Sequence, residues 1–383
     1  MAISEPTEIA RKYLRLHLCR GVGPIRSAQL VRELGGIDAV LSAPVGALGA
    51  VRGVGPQTAE AIVRGRDESA VDAEIDLAMR KGVQILCIED AEYPALLRRI
   101  EDPPACLYVR GALEAEDAVA FGVVGARHAT HYGVEQAERF AVCAAAAGMT
   151  VISGMARGID TAAHHGALTA QGRTIAIIGC GLSYLYPPDA DELAERIEQA
   201  GAILSELPMD VAPDSKNFPP RNRIIAGLSL GVLVVEAAKR SGALITARLA
   251  TEYNREVFVL PGRVDMPQSA GCHSLIRKGE GLLVTCWEDV LDGLGDVGDA
   301  LRGPTAAGAE SAPDNGAARR VSVVSLTDEE SAVYEAIGDE PAPVEAICDI
   351  SGLPPAQVAI ALTTLQLKGV VRRAPGELFH RTD

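Results

Sequence analysis

The sequence predicts an α/β protein. A mostly parallel, doubly wound sheet is preceded by a small helical domain and followed by a small domain of three helices and a hairpin. Between positions 118 and 260, six short apolar runs (119–124, 150–153, 174–178, 202–204, 231–235 and 256–260) alternate with stretches of helical spacing such as 134–147 and 244–253. Strands that read as unbroken apolar runs are buried on both faces, as in parallel sheets covered by helices. Aromatic residues are only 4% of the chain, so the core rests on Ala, Val, Leu and Ile rather than on the rings of a β-sandwich. The length, 383 residues, asks for two or three domains at roughly 150 residues each.

Residues 1–85 read as short helices and contain one internal echo. Arg20-Gly-Val-Gly-Pro24 recurs as Arg52-Gly-Val-Gly-Pro56, each followed by a helical run over 25–34 and 57–66. Two readings stand. In one, the turns are similar to a helix-hairpin-helix module, and Gly21, Gly23, Gly53 and Gly55 expose backbone N–H groups to the phosphates of duplex DNA. In the other they are glycine caps of a helical hairpin with no ligand.

Residues 86–295 hold the sheet. Residues 296–325, rich in Gly, Ala, Pro, Asp and Ser, read as a flexible linker. In 326–383, an N-capped helix starts at Thr327, a second spans 344–350, a third spans 355–367, and a hairpin spans 370–380; this is the outline of a winged helix. Its third helix offers only Gln357, Gln366 and threonines where base readout needs Arg, Lys, Asn or Gln, which favours packing or protein contact. Arg372 and Arg373 on the hairpin remain as candidate phosphate contacts.

Net charge is −15, with 11 basic against 10 acidic residues in 1–86, 18 against 27 in 87–295 and 7 against 14 in 296–383. A polyanion must therefore meet a local patch. The 8 cysteines form no C-x-x-C pair, so neither a zinc site nor a disulfide framework is legible, and no metal is expected. The start lacks a charged segment followed by an apolar one, and the longest uncharged run, 140–156, is too short and too interrupted to span a bilayer. A cytoplasmic protein without membrane contact is expected.

The local patch is found at the strand ends, where ligands of such sheets gather. These ends carry Arg127 with Thr130, Ser153-Gly154 with Arg157-Gly158, Lys216 with Phe218, Arg221-Asn222-Arg223, and Lys239-Arg240-Ser241-Gly242 with Thr246. Glycines admit anions to backbone N–H groups, helix starts add positive dipole ends, and guanidinium forks match phosphate. Phe218 is the aromatic suited to stack on a base, or else to plug the core edge. A nucleotide cofactor is not expected. Gly179-Cys-Gly181 lacks the third glycine of a dinucleotide fingerprint, with Tyr184 in its place, and no phosphate loop with a Gly-Lys-Ser/Thr ending occurs. Ser153, Asp160 and His164 lack a nucleophile elbow, and no constellation demands catalysis.

Together these motifs resemble the DNA processing protein A (DprA/Smf) family. The resemblance is carried by Tyr93-Pro94, Asp102-Pro-Pro through Arg110-Gly111, Gly125-Ala-Arg127, Tyr132-Gly133, Ser153 through Asp160 with Ala163-His164, Phe218-Pro-Pro-Arg-Asn-Arg223, Ser241 through Thr246, and Pro261-Gly262. It covers roughly residues 90–285 and departs from the family at Ala126, His273 and Glu280. The resemblance implies an extended Rossmann-like domain that binds single-stranded DNA without turnover, with helical and winged-helix flanks. It implies a homodimer through that domain and transfer of DNA coated by single-strand-binding protein to the RecA recombinase in natural transformation. It places Arg127, the loop from Ser153 to Gly158, Phe218 through Arg223, Lys239 and Ser241-Gly242 in the DNA pocket. Two other classes are weighed: a nucleotide-processing hydrolase using Glu206 or Glu236, and a protein-interaction scaffold.

Overall fold

The computed structural model describes residues 5–65, 68–302, 328–337, 342–354, 357–358, 361–362, 365, 371–374 and 378–381. They fall into two units divided at residue 306. In the first, six helices precede the first strand: α1 (Glu8–His17), α2 (Pro24–Leu34), α3 (Ile37–Ser42), α4 (Val45–Ala50), α5 (Pro56–Arg64) and α6 (Ser69–Arg80). The echoed motif explains two of them, because Gly23 and Gly55 are N-caps and the following prolines take the first helical position, where no N–H is needed. Leu14, Leu30, Leu48 and Ile62 share one core with Tyr108, Ile203 and Met209 of the sheet region. The helical region is thus seated on the sheet, and the expected boundary at 85/86 falls inside a strand.

That strand is β1 (Val83–Cys87). After α7 (Ala95–Arg98) come β2 (Cys106–Gly111), β3 (Ala120–Val124), α8 (His131–Ala146), β4 (Thr150–Ser153), α9 (Ile159–Thr169), β5 (Thr174–Ile177), α10 (Asp191–Ala200) and β6 (Ala202–Ser205). The unit continues with α11 (Phe218–Leu228), β7 (Gly231–Val234), α12 (Gly242–Glu252), β8 (Glu256–Val259), α13 (Ala270–Lys278), β9 (Leu282–Leu283), α14 (Trp287–Gly293) and α15 (Asp296–Leu301). The sheet order is β1-β2-β6-β5-β4-β3-β7-β8-β9, parallel from β6 to β9, with β2 antiparallel to β6 and to β1. The six strands read from the sequence are β3 to β8.

Helices cover both faces. Ile224 and Ile225 of α11 and Ala247 of α12 pack with Val232 and Val234 on one side. Phe140 of α8 and Ala163 of α9 pack with Phe121, Val123 and Phe258 on the other. After β3 the chain builds outward to β6 and then returns to β7 on the opposite side of β3. That reversal opens a crevice beyond the carboxyl ends of β3 and β7.

The first residues of the linker expected over 296–325 are helical. Residues 296–301 form α15, which packs back so that Leu301 contacts the core; positions 303–325 lie outside the described residues. In the second unit, α16 (Asp328–Ile337), β10 (Ala342–Pro343), α17 (Val344–Ser351), β11 (Val371–Ala374) and β12 (Leu378–Arg381) are described, with sheet order β10-β12-β11. Helical positions 358, 361, 362 and 365 bury Val358, Ala361, Leu362 and Leu365 against Val333, Ile347 and Phe379, as the winged-helix outline requires. Arg372 and Arg373 lie on β11, and Gln366 lies outside the described residues.

Candidate nucleic-acid interface

The crevice at the reversal is a cleft of about 290 Å³. Four chain segments meet there: the turn after β3, the loop from β4 into α9, the start of α11 and the start of α12. Arg127, Phe218, Arg221, Asn222, Ser241, Gly242 and Thr246 all line it, together with Asp160 and Ala156.

Arg127 is exposed and makes no ion pair among the described residues; its guanidinium carbon lies 5.1 Å from the centre of the Phe218 ring. The loop that carries it is fixed by Gly158, whose φ of +83° is open to glycine and whose Cβ, if present, would strike the carbonyl oxygens of Ala126 and Arg127. Across the cleft, the Ser241 hydroxyl caps α12 by accepting from the Ala243 amide at 3.3 Å. Gly242 is the first helical residue, exposed, and a Cβ there would meet nothing within 4 Å. It lines the cleft, and as a first-turn residue its N–H has no intrahelical acceptor and sits at the positive end of the helix dipole.

Arg221 forms the floor. It is 5% exposed and donates from Nη1 to the Gly154 carbonyl at 2.6 Å and to the Ile177 carbonyl, while its Nε–H has no acceptor among the described residues. Gly154 is obligatory for this, because a Cβ would lie 2.5 Å from Arg221 Nη1 and 2.6 Å from Asp160 Oδ2. Burial pushes the Asp160 carboxyl above the usual carboxylate range despite the pull of Arg221, and burial likewise lowers Arg221. The floor is thus a guanidinium held by carbonyl dipoles, not a bare cation at the surface. Asn222 donates to the Gly242 carbonyl at 3.2 Å, tying α11 to the start of α12.

Several expected residues stand elsewhere. Arg223 is off the rim: its side chain is 5% exposed and its fork is taken by Glu206 at 2.8 and 2.6 Å, with Nε 3.1 Å from Asp102. It points from the buried face of α11, so it is structural. Thr130 caps α8, and both its amide and its hydroxyl bond to Glu236. Ser153 is buried and donates to the Val123 carbonyl at 2.6 Å. Arg157 and Lys216 are exposed but paired with Asp189 and Asp214 at 3.0 and 2.8 Å. Lys239 lines a neighbouring groove of about 700 Å³ on the other side of α12, with Arg248, Arg277 and Lys278. Arg240 is exposed and, like Lys239, makes no ion pair among the described residues.

The glycines of the echoed motif divide in the same way. Gly23 and Gly55 are open, whereas a Cβ on Gly21 would come within 2.9 Å of Thr58 Oγ1, because the two hairpins pack on each other.

The hydrolytic alternatives lose their parts. Glu206 is occupied by Arg223 and Glu236 by Thr130. A Cβ on Gly181 would strike the Pro208 and Met209 carbonyls, so that turn is packed on protein rather than open to a pyrophosphate. His164 bonds through Nδ1 to Thr174 at 2.7 Å, and burial pushes its imidazole down to about 3. It stays neutral and has no contact with Ser153 that would make a triad. Among the described residues no helix is long and apolar enough to cross a membrane, and no group of metal ligands occurs.

Residues 84–295 match the family model of the DNA recombination-mediator protein A, and residues 317–377 match that of the DprA winged helix domain. Similar relatives include Protein Smf of Synechocystis, 34% identical over 94% of this chain and 96% of that protein. Protein Smf of Escherichia coli is 41% identical over 74% of each chain. Among solved structures, DNA processing protein A from Streptococcus pneumoniae aligns with a TM-score of 0.66 and 32% identity over 76% of this chain and 98% of its own. DNA processing protein A from Helicobacter pylori, whose structure is described as giving its single-stranded DNA binding mode, aligns at 0.50 and 31% over 56% and 97%.

Proposed function

The chain belongs to the DNA recombination-mediator protein A family, and from that premise we propose that it binds single-stranded DNA, without turnover, in the cleft where β3 and β7 part. One observation carries the reading: an exposed Arg127, with no ion pair among the described residues and lying over Phe218, lines the same cleft as Gly242, the first residue of α12. Single strands expose their phosphates, and a guanidinium held in place by an aromatic ring beside bare N–H groups is suited to them. The strand bound there is delivered to the RecA recombinase in natural transformation, in exchange with single-strand-binding protein. Two copies assemble through the sheet domain. The edge strand β9 leaves Leu282 and Leu283 48% and 49% exposed, an apolar edge of the kind a second copy covers. Gly23 and Gly55 are the duplex-facing amides of the N-terminal hairpins.

The test is binding of an unstructured oligonucleotide across a salt series. Neutralising ~3–5 phosphates gives a log–log slope of roughly −2 to −4 for single strands; a flat response, with turnover of nucleoside monophosphates or with no DNA binding, would favour the hydrolase or the scaffold.

Gly242→Ala separates ligand from fold. Its methyl enters open space at the exposed first position of α12, so unfolding stays unchanged or shifts up by at most about 1 kcal/mol. If a phosphate sits on that amide, the same methyl costs a charge-assisted bond of about 1 kcal/mol, roughly a fivefold loss of affinity. Unaltered affinity would remove Gly242 from the contact set.

A further inference from the structure

The loop between β5 and α10 brings Tyr186 against Phe218, with ring centroids 5.2 Å apart at an interplanar angle of 43°. Phe218 is hemmed in. Arg127 lies over its ring, and its edge meets Gly179, where a Cβ would come within 2.9 Å of the Phe218 ring. The side chain is only part-exposed, so little of its face is left to receive a base. Tyr186 keeps 37% of its surface in solvent. The same loop is fastened further on, where Asp189 pairs with Arg157 at the end of β4. An exposed ring braced by a second ring, itself covered by Arg127, has the form of a stacking platform.

We propose that Tyr186 is the surface on which a nucleobase of the bound strand stacks, with Phe218 as its brace, and that the site runs past the cleft to the end of β5. This rests on the single-strand reading. β7, β3, β4 and β5 are successive neighbours in the sheet, so at ~4.8 Å per strand the ends of β7 and β5 lie roughly 14 Å apart. A strand whose phosphates are held at Gly242 and Arg127 crosses that span along the loop after β4 and meets the ring at its far end. The chemistry recognised is the flat face of any base, which gives little sequence preference.

The experiment compares wild type, Tyr186→Ala, Tyr186→Phe and Arg127→Ala on an oligothymidylate and on an abasic oligonucleotide of equal length. Thermal unfolding of each variant is recorded alongside. Tyr186→Ala is expected to lose roughly tenfold on the oligothymidylate and about twofold or less on the abasic strand, while Tyr186→Phe keeps both affinities. If Tyr186→Ala binds the oligothymidylate as wild type does, or loses equally on both strands, the platform is wrong. If Arg127→Ala weakens both strands in that case, only the platform falls. If wild type binds neither strand, or Arg127→Ala binds both as wild type does, the cleft reading falls and the platform with it.

Discussion

Arg127→Ala weakens single-strand binding by roughly ten- to thirtyfold and makes the log–log salt slope shallower by about 0.7, the contribution of one phosphate on a single strand. The magnitude follows from its position. The side chain is exposed, has no carboxylate partner among the described residues, and stands at the mouth of the cleft over Phe218. A forked, charge-assisted bond to phosphate is worth more than a surface ion pair because no competing anion must be displaced. Unfolding changes by about 1 kcal/mol or less, since only an exposed cation–π contact is lost. Arg127→Lys restores the charge without the planar fork, so its affinity lies between the two. An alanine variant that binds like wild type, with an unaltered slope, excludes this rim as the main DNA site.

Arg223→Ala has the opposite profile. It destabilises the fold by about 3–5 kcal/mol and leaves the affinity of the folded fraction nearly unchanged. Two carboxylates depend on this guanidinium: Glu206 through a two-bond fork, and Asp102, which also accepts from the Tyr253 hydroxyl at 2.7 Å. Burial works against the Arg223 charge, yet Glu206 and Asp102 hold its pKa above the ordinary value. Removing the cation strands both acids in a part-buried site, which is more costly than losing the pair itself. Denaturant midpoints read the stability, and binding measured well below the midpoint reads the affinity. A variant of wild-type stability with weakened binding would return Arg223 to the rim.

These two arginines show what the chain discloses before folding and what it does not. The six central strands are legible because both of their faces are buried, so each is a plain apolar run, and the rule that ligands collect at their carboxyl ends then points to the right glycines and cations. β1, β2 and β9 escape. β2 and β1 run antiparallel at one edge, and β9 is two exposed residues at the other. Nothing local separates Arg221, Asn222 and Arg223 from a surface patch. They are buried, only 5%, 9% and 4% exposed, because α11 is packed between the sheet and its neighbours, and the acids that answer Arg223 lie 17 and 121 residues away. Asp102 and Glu206, each beside a strand, are the signal that identifies Arg223 as structural. Tyr186 sits in a loop that reads as punctuation, and only its contact with Phe218 gives it a place in the site.

The most direct measurement is a crystal structure with a short oligothymidylate bound. A phosphate is expected within hydrogen-bond reach of the Gly242 amide and of Arg127, with the strand passing by Phe218. Nucleotide density confined to the N-terminal hairpins or to the winged helix, with the β3–β7 cleft filled only by water, would contradict it.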